Sequence, residues 1–336
     1  MRRLPAGSSP ASGGRATAGR KKDPTIEGDL KKIVEPETGG DATGRRTYVK
    51  SSLRSLAEQL GRVSYRTVGR LLHQAGFSLR TNVKRLTGPP HPDRDRQFRF
   101  LRRVRALFVR HGAPVISVDT KSSELIGNFK NRGTRWCRQP DVVNAHDFPS
   151  DAECRAIPYG IYDITNNRGH VCVGTSADTS EFAVRSIRDW WLRFGRPRFP
   201  GQTHLLIEAD SGGSNGCRPR LWKRELQRFS NETGLAITVC HSPRGGSKWN
   251  RADHRLFGPI SRNWSGHPLR DLTTMLGFIR GTRTNSGLRV TARLDKRRYE
   301  KKIKVPDQEM KQLSLRRSKI RHQWNYTIRP QVAGSH

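Results

Sequence analysis

The stretch HLLIEAD, residues 204–210, sets Leu205, Leu206 and Ile207 ahead of a carboxylate, Asp210. A short apolar run bounded by turn residues reads as a strand buried on both faces. A second run, PVISVDT at 114–120, repeats the plan, with Val115, Ile116 and Val118 before Asp119. A strand that buries its apolar side chains and then ends on an acid carries that acid to the rim of a sheet. Ligands of α/β sheets gather at this rim.

Outward from these two strands the texture stays α/β. YGIYDI (159–164) and GHVCVGTS (169–176) read as a hairpin-like pair. SEFAVRSIRDWWLRFG (180–195) reads as an amphipathic helix with Val184, Ile187, Trp191 and Phe194 on its core face. RLWKRELQRFSNETG (220–234) is a helix, LAITVCHS (235–242) a strand and SKWNRADHRLF (247–257) a helix. The predicted order is β-β-β-α-β-α-β-α on a mixed sheet, with residues 121–158 inserted between the first two strands.

The last helix carries a third acid, Asp253, among Lys248, Arg251, His254 and Arg255. At α-helical spacing Asp253 falls on the side of Leu256, Phe257, Ile260 and Trp264, the expected sheet-facing side. Asp119, Asp210 and Asp253 can then converge. Converging carboxylates repel unless a cation sits among them, and hard divalent cations prefer oxygen ligands. Two such ions roughly 4 Å apart stabilise both oxygens of an in-line phosphoryl displacement. Each acid also has a plainer reading: a turn cap at a strand end, or for Asp253 an ion pair with Arg251 or Arg255. Glu208, two residues before Asp210, is either an auxiliary acid or a structural one. DSGGSNG (210–216) fits neither nucleotide-binding glycine fingerprint, so its glycines are expected to let a backbone or a DNA strand approach Asp210.

Composition narrows the partner. Lys and Arg number 64 against 29 acidic residues, a formal net charge of +35 spread along the chain. Such a field favours polyanions, and nucleic acid is the default. No apolar run approaches the roughly 20 residues a spanning helix needs, and no membrane partner is expected. The opening MRRLPAGSSPASGG lacks an apolar secretory core. The five cysteines show no zinc spacing and read as reduced cytoplasmic thiols.

Residues 1–24, rich in Gly, Ser, Ala, Pro and Arg, read as a flexible basic tail. A helical DNA-binding region is expected over 25–91. There Leu53, Leu56, Ala57 and Leu60 share one helical face, Gly61 breaks the helix and Ser64 caps a second. Val68, Leu71, Leu72 and Ala75 form the apolar face of that second helix. This is a helix-turn-helix outline whose second helix would present Tyr65, Arg66, Thr67 and Arg70 to DNA. An ordinary helical hairpin is the plain alternative. Gly69 inside it costs about 1 kcal/mol relative to Ala. A connecting helix over 92–112, with Phe98, Leu101, Val104 and Phe108 inward, leads to a catalytic domain at 113–270. A basic C-terminal region, 271–336, follows.

At these residues the chain resembles the Rhodopirellula-type DDE transposases of the ISAzo-thirteen-like insertion-sequence family. The matching runs include PVISVDTK, AIPYGIYDI, LLIEADSGGSNGCRPRLWK, SKWNRADHRLF and WNYTIRP, and the likeness spans about Gly19 to Pro330. It implies a ribonuclease-H-like catalytic core and Mg²⁺-dependent cleavage and strand transfer of DNA. By the family motif Asp119, Asp210 and Asp253 are the catalytic acids and the ligands of two Mg²⁺ ions, with Mn²⁺ as a substitute. Double-stranded DNA, as transposon ends and target, is the implied partner, bound by a homo-oligomer. Lys121, Lys248 and Arg251 are expected phosphate contacts, with plain surface charge as the alternative.

Three departures stand against the family pattern: Asp253 where Glu is usual, Pro259 inside the last helix, and a low-complexity start where members carry a further helical segment. Pro259 removes a helical hydrogen bond at roughly 3 kcal/mol in an interior position. They support a second reading, a decayed or repurposed copy that binds DNA without transposing. A nuclease acting on RNA–DNA hybrids is a third reading, and it leaves the helix-turn-helix unexplained.

Overall fold

A computed structural model describes residues 25–40, 47–49, 51–79, 91–243, 245–246 and 249–331, with side chains omitted at 35–40 and 47–48. The expected tail at 1–24 and the expected phosphate contact Lys248 lie outside the described residues. The chain divides into two compact units, 1–85 and 86–336.

In the first unit helix α1 (Ile26–Glu37) precedes a short antiparallel pair, β1 (Thr38–Gly40) and β2 (Thr47–Val49). Helices α2 (Leu53–Leu60) and α3 (Tyr65–Gln74) follow. Ser52 and Ser64 cap them, accepting from the Ser55 and Thr67 amides at 3.1 and 3.3 Å. Gly61 ends α2 in the left-handed region, φ 62°, where a side chain would be strained. Leu30, Val34, Leu56, Leu60, Val68 and Leu71 form the core. Gly69 now has a reason: a Cβ there would sit 3.3 Å from Leu53 Cδ1, so its absence lets α2 and α3 approach closely.

The second unit is a mixed α/β domain built on one nine-stranded mixed sheet. Helix α4 (Arg94–Arg110) leads into β3 (Val115–Thr120), β4 (Glu124–Ile126), β5 (Cys154–Asp163) and β6 (Arg168–Gly174). Helix α5 (Ser180–Trp190) continues as a π-helical turn, Trp191–Gly195, and closes with α6 (Arg196–Arg198). Strand β7 (His204–Ala209), α7 (Arg220–Thr233) and β8 (Ala236–His241) come next. The predicted order β-β-β-α-β-α-β-α is therefore present, with β4 in the insertion, paired to β5.

After β8 a π-helical segment, Ala252–Phe257, runs into α8 (Gly258–Asn263), followed by α9 (Leu272–Gly281). The sequence reading left 271–336 as a basic region without strands. It contributes β9 (Arg289–Asp295), then α10 (Asp307–Lys311), β10 (Leu315–Arg317) and β11 (Asn325–Ile328). The strand order is β10-β11-β8-β7-β3-β5-β6-β9, so this segment extends both edges of the sheet. Strands β3, β7 and β8 run parallel, while β5 is antiparallel to β3 and to β6.

Two apolar layers sandwich the sheet. On one face α5 and α7 bury Phe182, Ile187, Trp190, Trp222, Leu226 and Phe229 against Ile116, Val118, Ile161 and Ile207. On the other, Ala252, Leu256, Phe257, Ile260 and Trp264 pack against Ala156, Tyr162, Val171 and Val173.

Pro259 does not break the last helix. The π-helical segment closes with the Gly258 amide donating to the Asp253 carbonyl, five residues back, and Pro259 falls in the first turn of α8. The chain stays helical through Phe257 and Gly258, and Pro259 follows directly on the π-helical segment, where the switch in hydrogen-bond register accommodates its missing N–H. The expected penalty assumed a regular α-helical ladder that this segment does not have.

Candidate active site

Asp119 and Asp210 lie at the carboxyl ends of β3 and β7, neighbouring parallel strands paired Val115↔Leu206 through Val118↔Ala209. Alternation fixes their faces. Ile116 and Val118 turn into the α5–α7 layer, so Ser117 and Asp119 point to the other face. Asp119 is half-buried. Burial above all, then the charges of Asp210, Asp253 and Asp178, push its carboxyl up to about 7, although the Thr120 amide donates to it at 2.9 Å. Asp210 is also pushed up, first by burial, with the Asn250 amide opposing and the Asp253 charge adding. Its Oδ1 is occluded from solvent, with the Asn250 side-chain amide beside it.

Asp253 differs from its expected placement. It is exposed, and Ala252 takes the buried position at that turn. The π winding is wider than an α turn, so residues three apart no longer share a face, and the phase drawn from α spacing rotates. Leu256, Phe257, Ile260 and Trp264 are buried as expected. Asp253 is nonetheless close enough for its charge to raise both other acids. Among the described residues no three His, Cys, Asp or Glu side chains are gathered tightly enough to cage an ion as they stand.

The helix that carries Asp253 is fixed to the strand that carries Asp119. Ser117 Oγ donates to Asn250 Oδ1 at 3.2 Å, and the Ala252 amide reaches Asn250 Oδ1 and Ser117 Oγ at 3.0 and 3.1 Å. Below it Leu256 and Phe257 rest on two glycines. A Cβ on Gly160 would come within 2.6 Å of Phe257 Cζ, and one on Gly169 within 2.3 Å of Leu256 Cδ1.

Asp210 is held from behind by a buried chain of hydrogen bonds. Trp222 Nε1 lies 2.9 Å from the Tyr326 hydroxyl, which lies 3.3 Å from His241 Nε2, while His241 Nδ1 lies 2.9 Å from the Asp210 carbonyl. Donor logic orders it. Indole and Nδ1 must donate, so Tyr326 donates to Nε2 and His241 is neutral. Burial pushes its imidazole down to about 4, which agrees. Gln97 Nε2 donates to the His241 carbonyl at 2.9 Å and exchanges amide bonds of 2.7 Å with Asn325.

Other expected residues fall as follows. Glu208 accepts a two-pronged contact from Arg105 of α4 at 2.7 and 2.8 Å, which favours its structural reading. Lys121 ion-pairs with Glu124 at 2.6 Å and lies over the Trp264 ring at 5.3 Å. Arg251 lines a cleft of about 370 Å³ that also includes Asp210, Arg94 and Trp249. In the first unit Tyr65, Arg66 and Arg70 are exposed and Thr67 half-exposed, with the Arg54 and Arg66 guanidinium groups 5.8 and 5.9 Å from the Tyr65 ring centre. The glycine-rich loop folds on itself rather than lying fully open. Ser214 and Asn215 are buried, and a Cβ on Gly216 would meet the Ser211 carbonyl at 2.8 Å. Only Gly212 faces open space there.

Asp178, which nothing local in the sequence sets apart from a turn residue, accepts from Thr120 Oγ1 at 3.3 Å and raises Asp119. It follows β6 in a loop with no apolar run to point at it. Asn250 was legible only as part of the Trp249–Asp253 run. Arg105 had no local signal.

A family profile described as the Rhodopirellula transposase DDE domain matches residues 29–330. No curated protein matches the chain. Among solved structures, the Mos1 transposase paired-end complex with left transposon end aligns at 12% identity, covering 78% of this chain and 72% of that one, with a TM-score of 0.43. The mariner Mos1 paired end complex with Mg aligns at 12% identity over the same shares, with a TM-score of 0.44.

Proposed function

The chain belongs to the Rhodopirellula transposase DDE family, and on that premise we propose that it cuts the ends of a mobile DNA element and joins them to target DNA. One observation carries the reading: Asp119 and Asp210 end adjacent parallel strands, and the Asp210 and Asp253 charges raise the Asp119 carboxyl, as the Asp253 charge raises that of Asp210. Carboxylates gathered this closely repel unless a cation meets them, and hard divalent cations prefer oxygen ligands. The residues thus fit a divalent metal. Asp119, Asp210 and Asp253 would hold two Mg²⁺ ions, or Mn²⁺ in their place. When bound, such ions supply charge stabilisation at the phosphate and lower the pKa of an attacking hydroxyl.

The chain's own residues do the rest. The catalytic core is ribonuclease-H-like, with the three acids at its rim. Ser117 and Asn250 set the start of the Asp253 helix, and His241 sets the Asp210 backbone. Arg251 and Lys121 stand near enough to the acids to meet backbone phosphates, Lys121 after leaving Glu124. Helices α2 and α3 act as a helix-turn-helix that grips terminal inverted repeats through Tyr65, Arg66, Thr67 and Arg70. The net charge of +35 supports tight duplex binding, and a homo-oligomer is proposed as the binding form. Lys248, outside the described residues, is proposed as a further phosphate contact on sequence grounds. No described helix is long and apolar enough to cross a membrane. The proposed DNA substrate implies a cytoplasmic, nucleoid-associated protein.

The second reading, a decayed copy that binds DNA and does not cut it, rests on Pro259, Asp253 and the low-complexity start. The uninterrupted helix at Pro259 removes the first of these supports. Cleavage of a duplex carrying the element's ends, with and without Mg²⁺ or Mn²⁺, separates the two. Metal-dependent nicking supports the transposase reading, and tight binding without nicking supports the decayed copy.

A further inference from the structure

Behind the glycine-rich loop that begins at Asp210 lies an ammonium with no acid to meet it. Lys223 sits in the first turn of α7 and is 5% exposed. The other cations of that helix, Arg220, Arg224 and Arg228, pair with Asp307, Glu309 and Glu225 respectively. Among the described residues no carboxylate pairs with Lys223. Its Nζ instead donates to the Cys217 carbonyl at 2.7 Å and to the Pro219 carbonyl at 3.4 Å. It also lies 5.7 Å from the centre of the Tyr326 ring.

This is a costly place for a cation. Burial above all pushes its pKa down to about 8, with the Arg317 and Arg220 charges adding and Cys217 opposing. The amino end of a helix also disfavours positive charge. A methionine would fill the same space without these penalties. It could not bond two loop carbonyls, so the loop is where the ammonium acts. Burial also excludes a direct contact between Lys223 and a DNA phosphate.

The two carbonyls belong to the closure of the loop. The Cys217 amide donates to the Ser211 carbonyl at 3.2 Å, which draws Cys217 onto the residue after Asp210. Ser180 Oγ donates to the Ser214 carbonyl at 2.5 Å. Asn215 Nδ2 donates at 3.4 Å to the carbonyl of Val118, one residue before Asp119. The loop therefore bridges the two strands that carry the acids, and Lys223 holds its returning end. His241 fixes the Asp210 carbonyl separately.

We propose that Lys223 is a positioning residue for strand cleavage: by holding the Cys217 and Pro219 carbonyls it keeps the loop 211–217 closed, and the closed loop fixes Asp210 relative to Asp119. The proposal rests on the transposase reading and adds to it a residue that touches neither DNA nor metal.

The test uses the full-length protein as wild type, as Lys223→Met, which keeps the length and loses the donors, and as Lys223→Arg, which keeps charge and donors. Nicking of an end-bearing duplex is titrated with Mg²⁺ at a temperature where melts show each protein folded. Duplex affinity is measured without metal. Lys223→Met should bind the duplex as the wild type does, yet need roughly tenfold more Mg²⁺ for half-maximal nicking. Lys223→Arg should recover part of that loss. A Lys223→Met protein that melts lower but nicks at the wild-type rate and Mg²⁺ requirement has lost stability alone. That result overturns the proposal and leaves the transposase reading standing. Hydrogen exchange on the wild type decides the matter if neither variant folds. The Cys217 amide should exchange far more slowly than that of Gly212, and equal rates overturn the closed loop. A wild type that binds duplex but nicks it in neither Mg²⁺ nor Mn²⁺ removes the transposase reading, and the proposal with it.

Discussion

Asp119 stands directly opposite Gly160 in the antiparallel β3–β5 ladder, and the missing side chain of Gly160 is the space that Phe257 fills. One strand pair thus seats an acid and the helix bearing another. Phe257 is buried and rigid, so it cannot yield to an added methyl group. Gly160→Ala is expected to destabilise the fold by about 1–3 kcal/mol through overpacking. It should also lower DNA cleavage beyond the loss of folded protein, because the displaced helix carries Asp253. Phe257→Leu added to Gly160→Ala should recover part of both, read by urea unfolding and by a cleavage assay.

Glu208 and Asp210 are two residues apart and have different work. Glu208 is 7% exposed and neutralises Arg105. Glu208→Gln leaves that guanidinium beside an uncharged amide, at an expected cost of about 1–3 kcal/mol. Cleavage per folded molecule should survive. A loss of cleavage with unchanged stability would make Glu208 an acid of the reaction.

The metal response should depend on pH in a defined direction. The folded protein keeps the Asp119 proton up to about 7, whereas the unfolded chain releases it near the ordinary aspartate value of 3.8. Between these values the folded state binds more protons, so this carboxyl makes the metal-free protein less stable as pH rises from about 4 to about 7. A cation favours the ionised form and offsets that loss. The rise in Tm on adding Mg²⁺ should therefore be larger near pH 8 than near pH 5, and chelation should reverse it. Comparing melts with and without metal cancels the slopes of His241 and His170, both pushed down to about 4 by burial.

The chain Trp222–Tyr326–His241 predicts a second-site effect on Asp210. Tyr326→Phe removes the hydroxyl that accepts from Trp222 and donates to His241. Two buried polar atoms lose their partners, at about 1–3 kcal/mol. Cleavage should fall because His241, the donor to the Asp210 carbonyl, is no longer anchored through Nε2. Unchanged stability and cleavage would show that the chain does not position Asp210.

Much of this was legible in the sequence, for physical reasons. Apolar runs ending in Asp119 and Asp210 announced buried strands and their rim, because nothing else tolerates that burial. Ser64 and Gly61 marked α3 and the end of α2 through capping chemistry that acts within a few residues. The phase of Asp253 and the fate of Pro259 were misjudged together, since a π turn leaves no periodic signature and both readings assumed α spacing. Strand β9 was invisible because an edge strand such as RVTARLD carries charges among few apolar residues, and β11, an interior strand, is only four residues long, Asn325–Ile328. Asp178, Arg105 and the His241 chain depend on contacts between segments remote in the chain, which no local pattern encodes.

The central claim is that Asp119 and Asp210 together carry metal-dependent strand cleavage. The direct measurement is nicking of an end-bearing duplex by wild type, Asp119→Ala and Asp210→Ala in Mg²⁺, with duplex affinity measured on the same samples. Nicking by the wild type, lost in both variants at nearly unchanged affinity, is the predicted result. Nicking that persists in either variant would contradict the account.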